Sequence, residues 1–236
     1  MPYRRLPNTD NARIKSLRTI LDKKRNSLYT EISVDIIAAE RVLRTFENAQ
    51  SMYKESLAKQ ASENRKFQKY IKNAKLYISH FIQVLNLCII RGEIKKQVKS
   101  SYNLDLDNYS VPDLSSNEAI LQWGKNVVEG DQERQRSGGT PIYNPTIARV
   151  NVAYSQFKDA YFSQKTYQKQ TARLLESLSS QRGDIDSLIC DLWNQVEAMF
   201  ADLPPVKRIE KCKEFGLIYY LRKNEKDESF QDDENN

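Results

Sequence analysis

The sequence predicts an all-α fold, an antiparallel bundle of four long helices arranged as two helical hairpins, with a short connecting helix and at most a minor β element. Apolar residues recur every three or four positions over long stretches, which places them on one side of an α-helix. Neither Gly nor Pro occurs between Asn8 and Arg91. The chain of 236 residues contains only 7 Gly and 7 Pro, too few for a turn-rich β sandwich or barrel.

The first hairpin is predicted over about residues 10–100. A single helix along this whole stretch would be more than about 120 Å long at 1.5 Å per residue, so a compact domain requires a turn within it. The polar segment 59–64 is the predicted turn. Polar side chains before the first helix can accept hydrogen bonds from its free N–H groups. The candidate caps are Asn8, Thr9 and Asp10, and the two helices are predicted at about 10–58 and 63–100.

A connector is predicted over residues 101–144. It begins with an irregular stretch and then contains one short helix. Ser115 followed by Glu118 has the spacing of a capping box, which satisfies free N–H groups at a helix start. The pair Gly138-Gly139 is expected to end this helix just after residue 136.

The second hairpin is predicted over residues 145–222. Asn144 can cap its long first helix, and Pro145 is suited to the first helical position, where no N–H group is needed. Further turn and helix-stop residues divide the rest of this segment. They are the turn Gly183-Asp184, the stop Pro204-Pro205 before a fifth, shorter helix, the stop Phe215-Gly216, and the strand-like run Leu217–Leu221, which has no predicted partner.

Both hairpins are assigned to a single domain over residues 1–222. Residues 223–236 are predicted to form a disordered tail, because they carry six acidic residues and few apolar ones. The chain as a whole has a net charge of +6, so its body is basic and suited to acidic partners. The two halves also resemble each other, through an internal duplication or through the general likeness of amphipathic helices. The matching segments are Ala12–Ile14 with Ala148–Val150, and Val98–Leu104 with Cys212–Leu217.

The sequence predicts a cytoplasmic protein. No apolar segment follows the basic residues near the start, so no secretory signal is recognised. No apolar run approaches the roughly 20 residues of a membrane span. Cys88, Cys190 and Cys212 each lie within an apolar helical pattern. Three such cysteines are typical of buried thiols in a reducing compartment.

The chain opens with Pro-Tyr-Arg-Arg-Leu-Pro-Asn-Thr-Asp at residues 2–10. Three later stretches carry the same likeness, namely Ser79–Asn86 with Arg91–Glu93, Thr140–Thr146 and Leu203–Pro205. Together these segments resemble an uncharacterised bacterial family of the Bacteroidetes type, and the resemblance covers nearly the whole chain. It implies a bacterial cytosolic protein and no particular activity.

The most informative segment is the second predicted helix from Ile71 to Ile94, which is apolar on most of its sides. Such a helix is expected at the centre of a bundle. It nevertheless carries polar residues 4, 3 and 7 positions apart, which share one narrow side of the helix. An unpaired buried polar group costs about 1–3 kcal/mol, so these residues need hydrogen-bond partners. This polar stripe consists of Ser79, Gln83, Asn86 and Glu93, with His80 beside it and Arg91 near its end.

Two interpretations of the polar stripe stay open. It is either an internal hydrogen-bond network that fixes helix register, or the floor of a ligand pocket or partner groove. Catalysis by His80 is disfavoured, because a lone His supplies no nucleophile or substrate proton within hydrogen-bond reach. Gly92 is interpreted as a kink where the chain closely approaches another group, or as a site of close helix packing.

A basic face on the same helix is the second candidate site. Its cations repeat at helical spacing, and Tyr70 and Tyr77 lie between them, an arrangement that can follow a phosphate backbone. The alternative is an ordinary solvated helix face. The residues of this face are Arg65, Lys69 and Lys72, with Lys66 and Lys75 nearby.

No catalytic residue, metal site or cofactor is predicted. The chain contains one His, which argues against a zinc site of mixed Cys and His ligands, and the Glu-x-x-His pattern of di-iron bundles does not occur. The leading hypothesis is a non-enzymatic structural or interaction protein that presents helix faces to another protein or to itself. The alternatives are a nucleic-acid-binding module and a small-ligand or enzymatic pocket at the polar stripe, and no membrane contact is predicted.

Overall fold

Helices make up most of the chain in the computed structural model, which describes residues 2–26, 32–33 and 35–220. The all-α prediction is confirmed, and the described residues contain one two-stranded sheet. No described helix combines the length and apolarity needed to cross a membrane. The helices are α1 (Asp10–Asn26), α2 (Ile36–Ile90), a 3-10 helix (Lys96–Tyr102), α3 (Asn117–Arg136), α4 (Ile147–Ser180), α5 (Arg182–Met199) and α6 (Pro205–Glu214).

Helix α2 is continuous for 55 residues, so the predicted turn at 59–64 is wrong. That segment contains no helix breaker, and its side chains are exposed or half-buried. The helices are separated earlier in the chain, since α1 ends at Asn26 and α2 begins at Ile36. There the Asp35 carboxylate accepts hydrogen bonds from the N–H groups of Ile37 and Ala38, at 2.9 and 3.1 Å. Asp35 therefore caps α2 at a position that lies within the predicted first helix.

The same helix ends at Ile90, well before the predicted end near residue 100. Gly92 has a φ of +75°, in the left-handed region that commonly ends helices. A Cβ atom at Gly92 would meet nothing within 4 Å. Neither predicted role of Gly92 is therefore right, because the residue ends a helix without closely approaching another group.

The other helix starts lie close to their predicted positions. Helix α1 is capped by Thr9, whose hydroxyl accepts from the N–H group of Ala12 at 3.2 Å. Helix α3 is capped by Ser116 and not by Ser115, since the Ser116 hydroxyl accepts from Ala119 N–H at 3.0 Å. The remaining shifted starts are α4 at Ile147 rather than Pro145, and α5 at Arg182, which places the predicted turn residue Gly183 inside a helix.

The strand-like run near the end of the described chain pairs with the beginning of the chain. Strand β1 (Tyr3–Arg4) is antiparallel to β2 (Tyr219–Tyr220). The Arg4 guanidinium donates to the Glu197 carboxylate on α5 at 3.0 Å, and the Tyr219 hydroxyl donates to the same carboxylate at 2.6 Å. These bonds fasten the sheet to α5, and the prediction of a minor β element is confirmed.

The chain divides into two compact units. Unit 1 combines Met1–Glu55 with Ala172–Asn236, and unit 2 is Ser56–Thr171. Helices α2 and α4 each contribute to both units, so the units do not coincide with the two predicted hairpins. That residues 1–222 form a single domain stays a prediction, and the predicted acidic tail at 223–236 lies outside the described residues.

Each unit has its own apolar core. In unit 1 the fully buried rings of Trp193 and Phe46 belong to a cluster formed by α1, α2, α4, α5, α6 and the segment after α6. In unit 2 the fully buried Phe81 and Phe157 belong to a second cluster, formed by α2, α3, α4 and the 3-10 helix. Burial of such aromatic and aliphatic surface is the main source of stability in both units.

The two segments that match in sequence also end their helices in the same way. In each segment a buried aromatic residue precedes a left-handed residue and a buried leucine. The N–H group of Leu104 donates to the Lys99 carbonyl at 3.1 Å, and that of Leu217 donates to Cys212 at 3.3 Å. This hydrogen bond belongs to the Schellman helix ending. Duplication of the whole halves stays a prediction.

Candidate functional site

The predicted polar stripe on α2 is spread over several environments. Asn86 is buried, Ser79 and His80 are half-buried, and Gln83 is exposed. The Ser79 hydroxyl donates to the Leu76 carbonyl, one turn earlier, at 3.1 Å. Within the described chain no hydrogen bond joins one of these four side chains to another. Their common position on the helix therefore does not by itself make a network.

Arg91 and Glu93, at the end of the predicted stripe, form an exposed ion pair at 2.7 Å beyond the end of α2. The Cys88 sulfur lies 3.5 Å from the Arg91 guanidinium. Burial, together with a hydrogen bond to Glu93, raises the pKa of the Cys88 thiol. A thiol with a raised pKa is a poor nucleophile at neutral pH, so this cluster does not have the properties of a catalytic cysteine site.

Asn86 and Lys99 hold the connector against α2 and the 3-10 helix. The Asn86 amide donates to the Tyr109 carbonyl at 3.0 Å. The fully buried Lys99 ammonium donates to the carbonyls of Asn108 and Leu106, at 2.9 and 3.4 Å, and lies 3.6 Å from the centre of the Tyr109 ring. Burial lowers the pKa of Lys99. These contacts give Asn86 a structural role in positioning the connector.

The predicted basic face is partly engaged. Lys66 pairs with Glu63 at 2.8 Å, and Lys75 donates to the Ser115 carbonyl at 3.2 Å. The other three residues of the face, Arg65, Lys69 and Lys72, are exposed and lie one and two helical turns apart. None of the three makes an ion pair with a described carboxylate, so their charges are free.

A row of large apolar side chains is exposed on α2 within unit 2. Leu76, Leu87 and Ile90 are 60%, 50% and 64% exposed. With the exposed Gln83 they are spaced 7, 4 and 3 residues apart, which places them on one face of the helix. The prediction that this helix is buried on nearly all sides is wrong, because its core contacts within unit 2 come from other positions such as Phe81. We call Leu76, Gln83, Leu87 and Ile90 the α2 row.

A buried charged cluster, which the sequence patterns did not predict, joins α3 to the 3-10 helix. Asp131 is fully buried and Arg134 is 5% exposed. Arg134 donates to one Asp131 oxygen at 2.7 and 3.0 Å, and the Tyr102 hydroxyl donates to that oxygen at 2.8 Å. Arg134 also donates to the Tyr102 hydroxyl at 2.9 Å and to the Thr140 carbonyl at 2.6 Å. Burial, and then the nearby Asp131 charge, raise the pKa of Tyr102, so the hydroxyl remains a donor.

This buried triad of Tyr102, Asp131 and Arg134 has the character of a structural cluster. Its two charges are paired, and each of the three side chains is hydrogen-bonded. Neither groove described below is lined by any of the three. A buried ion pair with several additional hydrogen bonds is typical of a site that fixes the packing of neighbouring elements.

Unit 1 contains two comparable ion pairs closer to its surface. The Arg13 guanidinium donates two bonds to Asp186, at 2.8 and 2.9 Å. Arg182 donates two bonds to Asp10, at 2.9 and 2.8 Å. These bidentate pairs join the starts of α1 and α5. Hydrogen bonding to Asp186 raises the pKa of Arg13, as expected for a charge fixed in a structural pair.

A groove lies on the described surface of each unit. The groove in unit 1 has a volume of 150 Å³ and is lined mostly by charged side chains such as Arg18 and Glu47, which pair at 2.6 Å. The groove in unit 2 has a volume of 320 Å³ and lies between α2 and α4. No residue of the predicted polar stripe lines either groove. The lining of the larger groove includes Glu63, Lys66, Phe67, Asp159, Gln164 and Tyr167.

The described residues contain no group of three or more His, Cys, Asp or Glu side chains placed to hold a metal ion. No protein-family model, curated protein or solved structure matches the chain. The candidate surfaces are therefore the α2 row, the free part of the basic face and the larger groove.

Proposed function

We propose that this chain is a non-enzymatic interaction protein that binds another protein, or a second copy of itself, through the α2 row. The observation that carries this proposal is the exposure of Leu76, Leu87 and Ile90 on one face of a long helix. Single exposed apolar residues are ordinary on protein surfaces. An aligned set of large ones is more typical of an interaction site.

The spacing of the α2 row indicates which kind of partner fits. Steps of 7, 4 and 3 residues follow the heptad repeat that allows two α-helices to pack side by side. Burying a Leu or Ile side chain contributes about 1.5–3 kcal/mol, which must exceed the entropy lost on association. Gln83 lies within the row and requires a polar partner, which favours one register over others. An amphipathic helix meets these requirements.

Charges placed in the α2 row are expected to weaken association strongly. Replacing Leu87 and Ile90 together by Lys should weaken binding by at least about tenfold, because each change removes apolar contact and buries an ammonium group. Light scattering after size exclusion, over a range of concentrations, measures the molar mass of the chain and of its double variant. The matched control is Val152→Lys, which changes an exposed apolar residue on α4.

Wild-type chain that forms a dimer, with a monomeric double variant and a dimeric Val152→Lys control, supports the proposal with self as the partner. A dimer that survives the double substitution contradicts it. The proposal also fails if the wild-type chain is strictly monomeric and if every protein that co-purifies with it also co-purifies with the double variant.

Nucleic acid is the second candidate partner, favoured by the three free cations Arg65, Lys69 and Lys72. They lie one turn apart along the exposed side of α2, so they can contact successive phosphates. Each phosphate contact makes the logarithm of the affinity fall with the logarithm of salt concentration, with a slope of about −0.9 on double-stranded DNA. Three contacts therefore predict a slope of about −2.7.

Fluorescence anisotropy with a labelled duplex at several salt concentrations tests this candidate. Replacing Arg65, Lys69 and Lys72 by Gln should remove most of the salt dependence and weaken binding to every sequence alike. The control replaces three exposed cations of α4 by Gln. No binding at low salt, or an equal loss in the control, would exclude the basic face as a nucleic-acid site. The control cations are Lys158, Lys169 and Arg173.

Three further parts of the proposal, the location, the family and the helix arrangement, rest on the sequence alone. A cytoplasmic location and membership of the bacterial family are proposed on the patterns described above. An antiparallel bundle of four long helices with duplicated halves is proposed on the same basis. Among the described helices, only α2 and α4 exceed 30 residues. A shared ancestry of the halves would be supported by related proteins in which the two segments are closer in sequence.

A further inference from the structure

The free part of the basic face and the α2 row lie along the same side of α2. The helix is continuous through both sets of residues. With about 3.6 residues per turn, all seven positions fall within an arc of roughly 60°. Within unit 2 this exposed side therefore presents three free cations, Arg65, Lys69 and Lys72, followed along the helix by the α2 row. A partner of the row has to suit both halves of this side.

The α2 row is symmetric about Gln83. Leu76 precedes Gln83 by seven residues, and Ile90 follows it by seven. A two-fold axis through Gln83 would therefore place Leu76 of each copy opposite Ile90 of the other, as the reciprocal contacts of a two-fold interface require. Leu87, four residues after the axis, would lie opposite Ser79, four residues before it. The row is thus able to pair with an antiparallel copy of itself.

The polar groups of this overlap are suited to such a pairing. Gln83 is exposed, and its amide has no hydrogen-bond partner among the described residues. A primary amide both donates and accepts, so two copies of Gln83 that meet at the axis can form reciprocal hydrogen bonds. The Ser79 hydroxyl already donates to the Leu76 carbonyl at 3.1 Å. Ser79 therefore needs no partner from a second copy, and its small side chain leaves room for Leu87.

The free cations select the antiparallel arrangement over the parallel one. Parallel pairing in register would place Arg65, Lys69 and Lys72 each beside its own copy, and such like-charge pairs oppose association. In the antiparallel arrangement the position level with Lys72 lies beyond Ile90, where α2 of the other copy has ended. The two copies of Lys72 are then about 33 Å apart along the helices, at 1.5 Å per residue. Only the antiparallel pairing therefore buries the row without bringing the cations together.

We propose that the partner of the α2 row is the α2 row of a second copy of this chain, antiparallel to it, with Gln83 on the two-fold axis. This inference rests on the proposed function, because it names the partner of the same row. Three aliphatic side chains from each copy bury much less than the roughly 800 Å² per partner of a standard interface. The dimer is therefore weak, with a Kd above about 1 µM, and its population depends on the concentration of the chain.

Charges at residue 83 test whether this position faces its own copy. Gln83→Glu alone and Gln83→Lys alone should each weaken association by about tenfold or more at low salt, because like charges then meet at the axis. An equimolar mixture of the two variants should recover association, since opposite charges meet instead. The matched control is Gln68→Glu, which changes an exposed glutamine of α2 outside the overlap and should leave association unchanged. Light scattering at several concentrations of the full chain measures all four.

Disulfide cross-linking of introduced cysteines, with copper phenanthroline as the oxidant, measures the register. Cys190, the native cysteine that is not buried, is first replaced by Ser. Gln83→Cys should then form a covalent dimer, because the two copies lie within the Cα separation of about 4–7 Å that a disulfide spans. Leu76→Cys and Ile90→Cys should each remain uncross-linked alone, with their two copies about 21 Å apart along the helices, and should cross-link when mixed. Lys69→Cys is the control on the same side of α2, with its two copies about 42 Å apart.

Several outcomes overturn this pairing. Cross-linking of Leu76→Cys or Ile90→Cys that is as efficient alone as in the mixture indicates parallel pairing, and a mixture of the two charged variants that stays monomeric shows that residue 83 does not face itself. Equal cross-linking of Lys69→Cys and Gln83→Cys indicates random collision. If no variant cross-links but the wild-type chain binds another protein that the Lys double variant of the row loses, the second copy is the wrong partner and the proposed function stands. A strictly monomeric chain without such a protein overturns both.

Discussion

Asp131→Asn is expected to lower the free energy of unfolding by about 3–5 kcal/mol. The substitution keeps the size of the side chain and removes its charge. Arg134, which is 5% exposed, is then left as a buried cation without its counter-charge, and desolvation of an unpaired charge is costly. The Tyr102 hydroxyl also loses a charged acceptor at 2.8 Å. Chemical denaturation, followed by circular dichroism, measures the change.

Glu129→Gln is the matched control for this prediction. Glu129 belongs to the same helix and faces Lys125 at 4.0 Å, but both side chains are about 60% exposed. An exposed pair of this kind contributes at most about 1 kcal/mol. The double variant Asp131→Leu with Arg134→Met should recover much of the lost stability, because no charge is then buried. Equal losses in Asp131→Asn and Glu129→Gln would show that the triad does not hold α3 in place.

Gly130→Ala is expected to destabilise the protein by about 1–3 kcal/mol, although alanine is normally the better helix former. A Cβ atom at Gly130 would lie 2.5 Å from the Ser101 carbonyl oxygen and 2.7 Å from the Tyr102 ring. The carbonyl belongs to the backbone, so it cannot move aside as the end of a flexible side chain would. The missing side chain therefore permits α3 to approach the 3-10 helix and brings Tyr102 within reach of Asp131.

Gly183→Ala provides the comparison with opposite sign. Gly183 also lies in a helix, α5, but a Cβ atom there would meet nothing within 4 Å. Substitution should stabilise the protein by about 0.4–1 kcal/mol, because alanine restricts the unfolded chain. Thermal melts of the two variants beside wild type measure both effects. A stabilising Gly130→Ala would mean that the two elements are not in close contact.

Much of the helical fold follows from local sequence, whereas the error in the first hairpin came from the expected size of the domain. The helix starts near Thr9 and Ser116 and the ending at Gly216 follow from residue types that cap helices. The segment 59–64 was expected to turn because a continuous helix seemed too long for one domain. The division of α2 between two units removes that restriction, and the break occurs instead before Asp35, where no Gly or Pro marks it.

The sequence contains a signal for the buried triad, but the signal is easily missed because two of the triad's members are charged residues. On α3 the buried positions Ile120, Gly124, Val127, Asp131 and Arg134 follow one another by steps of 4, 3, 4 and 3. Two opposite charges that continue an apolar helical pattern at this spacing indicate a buried ion pair. The third member, Tyr102, could not be found in this way, because its position depends on the tertiary contact at Gly130.

The α2 row and the larger groove show a different limit of sequence reasoning. Periodicity identifies which residues of α2 share a face, but not how many neighbouring helices are available to cover them. The sequence between Ile71 and Ile94 therefore predicts burial for Leu76 and Ile90, which are exposed. The groove depends on the register of α2 against α4, which pairs residues about 90 positions apart such as Phe67 and Phe157.

The division of the chain into units also determines the order in which they can be completed during synthesis. Unit 2 is one uninterrupted segment, whereas unit 1 needs strands and helices from both ends of the chain. Once residue 171 has left the ribosome, all residues of the unit 2 core have been synthesised. The first helix and the start of α2 must then wait, with apolar residues such as Leu17 and Phe46 exposed, until α5 emerges. This interval is when the nascent chain is most exposed to aggregation and to chaperones.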